Sequence, residues 1–590
     1  MPKINWVLLV LALGVSLIYG SHHFLMPVFL DDPGSAYLPL TVSSYSDVAM
    51  FYGPRANAVY WGEFRVGDMY LAEYRGGPAL LPMLNPLILG WLGRILGSLK
   101  NGFIAADFLF PPLIFIALYF LAREITGERV FSTLFASVFI FSPKLFLYIP
   151  PLSLSAIKEF LVNFIPILAP PEALYFERFE YPKLTFLFYA LAFYFTLCAL
   201  KRREKTSIYL AGINFGILFY TYLYDWVYFF TGLGIMFACF MVMRDYDEMK
   251  ITAKIAGIGL VISVFYWINF FQLNSLLQYH DIFLRIGAEI SHRFRWASAW
   301  KSYLRNLMLI AFLWALFRRA GKITAVYLAA LLLAYFAVVN VQVILGFNPH
   351  PDHWYRVEFL PIGLAVMYIA FWFYGKILRF VSMRWAVLCV AGFILLLFGQ
   401  ELYLQYNFSK ASAKDFSLPK AEFAGYEWLN ENTPKDSVVG VLSPKTNIEL
   451  SLYTHNKIFL PGGGNSLAPT EEIWDRLMIM AKVFGVPPEE LKSVVLEGNL
   501  YFFHDFYRDK SFDTYFRARS GQISEEEYKV KLDAYSGRFK DFQLSETPYQ
   551  LDYLYFDPKT AGTWGRDPEK LINGLQKVYN DHIRIYKVSR

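Results

Sequence analysis

Residues 191–250 read LAFYFTLCALKRREKTSIYLAGINFGILFYTYLYDWVYFFTGLGIMFACFMVMRDYDEMK. Two charged turns, KRREK at 201–205 and RDYDEMK at 244–250, cut the region into apolar runs at 184–200, 206–223 and 226–243. A helix needs roughly 20 apolar residues to cross about 30 Å of hydrocarbon. Successive runs of that order, divided by short basic turns, are the pattern of a polytopic α-helical membrane protein.

Working outward, the same reading finds eleven candidate spans, near 5–24, 104–122, 130–149, 184–200, 206–223, 226–243, 254–272, 305–318, 323–346, 357–375 and 385–403. With Lys3 inside, the short turns at 123–129, 201–205, 244–250, 318–322 and 374–384 fall on the cytoplasmic side, and each carries two or more Lys or Arg. This satisfies the positive-inside rule. It predicts an N-in, C-out topology with about eleven transmembrane helices. The N-terminal apolar run is read as an uncleaved signal anchor, because no small-residue cleavage site follows it.

Composition agrees. Hydrophobic residues make up 56% of the chain and charged residues 18%, below the usual soluble value of about 25%. The charge is uneven. Residues 408–590 carry 26 acids and 24 bases, whereas residues 1–407 carry 23 acids and 31 bases. The expected division is therefore a transmembrane domain over 1–407 and an extracytoplasmic soluble α/β domain over 408–590. Residues 421–433 read as a helix. Residues 436–443, 456–464, 490–498, 550–558 and 582–589 read as strands alternating with helical stretches. In the first outer loop, 25–103, segments such as 78–96 read as helices lying at the membrane interface. Cys198, Cys239 and Cys389 all lie in apolar segments and offer no disulfide framework or CxxC site. No P-loop, HExxH, GxSxG or nucleotide fingerprint is present, so chemistry driven by a nucleotide is not supported.

The distinctive polar residues gather in the outward loops. Asp47 lies in SSYSDVAMFYGPRANAVYWGEF (43–64). Ser44 and Asp47 form a capping box, so Asp47 reads either as a helix cap or as an outward general base or ion ligand. The second loop holds PPEALYFERFEYPKLTF (170–186), with Glu172, Glu177 and Glu180 near Arg178 and Lys183. Acids can hold a divalent cation and the basic pair a phosphate. They can also simply anchor a span at the interface. NPHPDHWYRVEFLP (348–361) brings potential metal ligands in His350, Asp352 and His353, at loose spacing. In the same loop Arg356 is either a snorkelling interfacial arginine or a bidentate phosphate ligand. Asp225, in TYLYDWVYF, is a turn residue or lines a cavity.

The order of these motifs resembles the GT-C superfamily of membrane glycosyltransferases. The motifs that carry the resemblance are Asp47-x-x-x-Phe51-Tyr52 ahead of Ala56 and Gly62-Glu63, Arg178-x-x-x-Pro182, His353-Trp354-Tyr355-Arg356, Trp428-Leu429-x-x-Asn432-Thr433-Pro434 and the ending DHIRIYKV. The resemblance implies inverting transfer of a sugar from a polyprenyl (dolichyl or undecaprenyl) phosphate donor on the extracytoplasmic face. Asp47 would be the catalytic base. Arg356, Arg178 and Lys183 would bind the donor phosphate. Glu177, Glu180 and His353 would be metal ligands for a possible divalent cation, Mg or Mn. Tyr52, Asp225, Trp354 and Tyr355 would line the acceptor side or the cavity. The partners implied are a lipid-linked donor, a lipid, glycan or protein acceptor and membrane lipids, with no nucleic acid. No WWDYG motif and no second-loop DxD pair is present. This favours single-sugar transfer over the oligosaccharyltransferase-like alternative of en bloc transfer to protein. A transporter or assembly scaffold is the non-enzyme alternative.

Overall fold

The structure, a computed structural model, describes residues 6–40, 48–165, 172–377, 382–511, 521–538, 543–560, 562, 564–572 and 575–589. Asp47 lies outside them. The chain folds into two compact units, one of residues 1–29, 104–267 and 291–412, the other of 30–103, 268–290 and 413–590. The switch at 412/413 falls close to the composition break at 407/408. The first outer loop and residues 268–290 group with the C-terminal residues rather than with the helical unit.

Among the described residues seven helices are long and apolar enough to cross a membrane: Trp6–Phe29, Leu99–Thr126, Thr185–Arg202, Leu223–Val242, Lys322–Leu345, Pro351–Lys376 and Met383–Phe416. A bent pair, Tyr246–Ile262 with Val264–Asn274, makes an eighth if counted as one span. The chain is a multi-pass membrane protein by the length and composition of these helices. The other three segments expected to span are also helical, but each falls short. Arg129–Phe141 has 13 residues and stops before Pro143. Lys205–Leu218 has 14 residues. At 1.5 Å per residue these reach about 20 Å, less than the ~30 Å of hydrocarbon. Trp300–Ala320 has 21 residues but opens with Lys301 and Arg305 in its first turns.

Aromatic residues fill the core of the helical unit. Lipid offers their hydroxyls no water, so buried tyrosines bond backbone carbonyls. Tyr189 donates to Val357 O at 2.9 Å, Tyr228 to Leu331 O at 2.7 Å and Tyr327 to Phe193 O at 3.0 Å. Gly212 and Gly216 lie one turn apart on the short helix 205–218. A Cβ on either would come within 2.6 Å of Ile258 or Ile262. The spacing is the small-xxx-small pattern that lets membrane helices approach closely.

In the second unit a five-stranded mixed sheet runs in the order Lys457–Ile458, Val438–Gly440, Tyr553–Phe556, Arg584–Lys587, Gln576–Asn580. The first three strands are parallel neighbours and the last three antiparallel. Helix Lys420–Asn432 covers it through Tyr426, which stacks on Tyr555 with centroids 5.6 Å apart. Residues 490–498, expected as a strand, belong instead to helix Leu491–Phe502. Its buried Leu491, Val494, Val495 and Gly498 repeat at helical rather than alternating spacing. Asp68 is fully buried and ties the first-loop residues to this unit. One carboxylate oxygen accepts from the amides of Tyr70 and Leu71, the other from Ser466 Oγ and Leu467 N at 2.7 Å.

Glu449 adds a pH-dependent contribution to this unit. It is buried beneath Tyr426, whose hydroxyl donates to Oε2 at 2.7 Å. Burial pushes its carboxyl up to about 7 despite Lys445 nearby. Between its ordinary value near 4.5 and about 7, the folded protein holds a proton that the unfolded chain has lost. Folding stability from this group is therefore full below that window and falls as pH rises through it. Glu449→Gln is expected to match wild type near the low end of the window and to exceed it above pH ~7. Thermal melts of both proteins across that range would show it. A constant offset at all pH values would rule out Glu449 as the source.

Candidate active site

The second-loop residues and the loop before helix Trp354–Ile377 meet within the helical unit. Three short elements position them. The 3-10 turn Tyr175–Glu177 places Tyr175 and, one residue on, Arg178. The residues after the short helix 205–218 place Tyr222 and Tyr224, and Asp225 follows in the first turn of Leu223–Val242. The turn Pro351–His353 leads into the helix carrying Arg356.

These groups interlock through aromatic rings. Tyr181 stacks on Tyr222 with centroids 4.1 Å apart and planes at 22°. The Tyr222 hydroxyl lies 3.0 Å from His353 Nδ1. Tyr224 packs edge-on against Trp354, at 4.7 Å. Arg356 lies over the Tyr355 ring at 5.8 Å, and its Nε is 3.4 Å from the Tyr355 hydroxyl. Burial pushes the phenol of Tyr175 well up, and both Arg356 and Arg178 act against that rise. Tyr181 is raised by burial and then by Tyr175, Asp225 and Tyr222, while Arg356 opposes. The two arginines thus share one electrostatic neighbourhood with Tyr175, and Asp225 reaches it through Tyr181. Asp225 is 1% exposed, and its Oδ2 accepts no hydrogen bond among the described residues.

The helix bearing Arg356 is anchored on both sides of that residue. Trp354 Nε1 donates to Asn348 Oδ1 at 2.8 Å. Glu358 accepts from Arg305 and from Asn306, each at 2.5 Å. A guanidinium on so fixed a turn is preorganised to hold an anion.

Other expected site residues lie elsewhere. Lys183 is buried and paired with Asp107, and Asp107 in turn meets His23 Nε2 at 3.1 Å. Its charge is therefore balanced within a separate network, not shared with Arg178 and Arg356. Glu177 is buried. Oε2 accepts from Leu174 N at 3.0 Å, while Oε1 accepts from Gln405 and lies 3.5 Å from His22 Nδ1. Burial, with Asp107 adding repulsion, pushes its carboxyl up. A carboxyl with both oxygens engaged and its charge disfavoured does not fit a hard cation such as Mg or Mn, which wants anionic oxygen ligands. Glu180 is buried at a positive φ of 55°. The expected trio of Glu177, Glu180 and His353 does not form one ligand group among the described residues. The groups that do come together are His22, His23 and Asp107, and His350, Asp352 and His353. Tyr52 ends a π-helical turn in the second unit.

The reading of the sequence missed the rings of Tyr175, Tyr181 and Tyr222. It also missed the buried network of His22, His23, Asp107 and Lys183. Aromatics are too frequent here to stand out. The network did leave a signal in the lone Asp107 within the second apolar span, since an ionisable residue in a membrane helix is costly and needs a partner.

No protein-family profile matches the chain. No curated protein matches it either. Solved structures do. ArnT from Cupriavidus metallidurans bound to undecaprenyl phosphate is 12% identical, with 97% of each chain covered and a TM-score of 0.44. The Archaeoglobus fulgidus oligosaccharyltransferase is 12% identical, covering 94% of this chain and 70% of its own, with a TM-score of 0.43. The mycobacterial arabinofuranosyltransferase AftD is 12% identical over 99% of this chain and 42% of its own, with a TM-score of 0.47. They are GT-C glycosyltransferases, the superfamily that the sequence motifs resemble. At TM-scores below 0.5 the likeness carries no weight for function, which rests on the residues of this chain.

Proposed function

We propose that the protein is a membrane glycosyltransferase that takes a single sugar from a polyprenyl phosphate carrier and passes it, with inversion, to an acceptor on the extracytoplasmic side. The observation that supports this most is the convergence of Arg178 and Arg356 on one aromatic-lined neighbourhood of the helical unit. Guanidinium groups bind phosphate bidentately, and apolar helices would bring a lipid-linked phosphate to them. In this reading the arginines hold the carrier phosphate and stabilise it as it leaves. The leaving group is already good, so positioning and charge stabilisation are the main demands on the protein. Asp47 is the base that takes the proton of the acceptor nucleophile. Asp225 and the tyrosines shape the cavity, and residues 408–590 face the same outer compartment.

The test is transfer in vitro. Purified full-length protein in nanodiscs is offered a panel of polyprenyl phosphate monosaccharides, with nucleotide sugars as the comparison. Turnover of a polyprenyl phosphate monosaccharide, with none of the nucleotide sugars, is expected. Transfer only of a preassembled oligosaccharide would favour the en bloc alternative. Transport of the carrier with no bond formed would overturn the enzymatic reading.

A further inference from the structure

We propose that His350, Asp352 and His353 form a binding site for a divalent transition cation of the zinc class. The three donors come from four consecutive residues, and one ligand atom from each lies within 4.8 Å of the others. Two imidazoles and one carboxylate suit Zn, Co or Fe(II) rather than Mg or Ca. Three protein ligands leave a position open, as catalytic zinc sites do.

Four features indicate a built site rather than a chance cluster. First, the flanks of the loop are fixed. Asn348 is fully buried, donates to Gln342 Oε1 at 2.8 Å and to Val339 O at 3.2 Å, and receives Trp354 Nε1. The Tyr224 hydroxyl holds Pro349 O. Second, His350 is held at φ 40°, the left-handed region that a residue with a Cβ avoids. Such strain costs on the order of 1–3 kcal/mol and gathers at functional sites. The 3-10 bond from His353 N to His350 O, 2.9 Å, closes the turn and stacks the two rings 5.2 Å apart at 18°. Third, the Tyr222 hydroxyl lies 3.0 Å from His353 Nδ1 and orients the ring; with the proton on Nδ1 donated to Tyr222, Nε2 is the ligand atom. An outer partner of this kind accompanies most metal-binding histidines. Fourth, access differs between the two candidate groups. His350 and His353 are half-buried and Asp352 is exposed, whereas His22, His23 and Asp107 are all buried, with Lys183 already neutralising Asp107. The second group is closed by its own charge balance. The first is open to solvent at Asp352.

The site shares its loop with Arg356, the residue assigned above to an anion. The metal inference does not depend on that assignment, because binding can be read without turnover. The experiment uses tag-free full-length protein in detergent, stripped of metal and titrated with Zn²⁺ by calorimetry, with Co²⁺ absorption as a second readout. One saturable equivalent is expected, with the visible bands of a nitrogen-and-oxygen-ligated cobalt. Asp352→Asn, at an exposed position, is expected to weaken Zn²⁺ binding by roughly 100-fold, and Tyr222→Phe by roughly 10-fold, as the loss of an outer partner does. His22→Asn and His23→Asn are expected to leave it unchanged. Absence of a saturable equivalent, or full affinity in both Asp352→Asn and His353→Asn, would overturn the proposal. So would loss of binding in the His22 or His23 variants instead.

Discussion

Replacing Arg356 with alanine is expected to lower kcat/KM for a polyprenyl phosphate sugar by roughly 10²–10³-fold, the loss typical of one preorganised donor to a developing anion. The leaving phosphate gains charge as the glycosidic bond breaks, so the interaction strengthens in the transition state and the loss should fall mainly in kcat. The fixed geometry matters as much as the charge. Trp354–Asn348 and Glu358–Arg305–Asn306 hold the helical turn on either side of Arg356, so alanine removes the guanidinium while the bonds that anchor its turn remain. Arg356→Lys keeps the charge but loses the planar fork, and is expected to recover only part of the rate. Arg178→Ala should cost less on its own, and the double variant less than the product of the two, because the residues act on one group. Steady-state transfer assays on the four proteins decide this. Wild-type kinetics in Arg356→Ala would remove the phosphate site from the mechanism.

Asp47→Asn is expected to lower kcat by roughly 10²–10⁴-fold, the usual contribution of a general base. The substitution is chosen for what it keeps. In the capping box Asp47 stands at N3, where its side-chain oxygen would accept from the Ser44 amide; asparagine keeps an acceptor oxygen there, so a residue serving only the capping box would tolerate it. Loss of turnover with unchanged donor KM and an unchanged melting temperature would assign Asp47 to proton transfer. Full activity in the variant would reduce Asp47 to a cap and leave the base to be sought elsewhere.

Much of the helical architecture was legible because a bilayer imposes so strict a length and so strict a polarity. Helices occur at all eleven apolar segments, and the basic turns between them are short. Helix length was less legible. Residues 205–218 and 129–141 sit within longer apolar runs, but the helices stop early, at Leu218 and before Pro143. Beyond Leu218 the chain continues FYTYL, so hydropathy shows no stop there, whereas beyond Phe141 the local signal is Ser142-Pro143-Lys144. The site was legible in part. Arg178 and Arg356 stood out because charge is scarce at the ends of apolar runs. Lys183 carries the same charge one turn later, yet pairs with Asp107, distant in sequence and hidden inside a span. Such a pairing is tertiary information, and periodicity carries none of it. The strand expected at 490–498 failed because a short run of valine and leucine is as compatible with a buried helix as with a strand.

The short helix 205–218 has a further consequence. It is joined to helix Thr185–Arg202 by a two-residue turn at Arg203 and Glu204. The hairpin has unequal arms, 18 residues against 14. At 1.5 Å per residue the shorter arm ends about 6 Å before its partner. Tyr222 and Asp225 follow directly from that shortened end. The aromatic floor they form is therefore recessed by roughly one helical turn from the level of Thr185. A membrane meeting such a step must thin or let its headgroups sink to cover it.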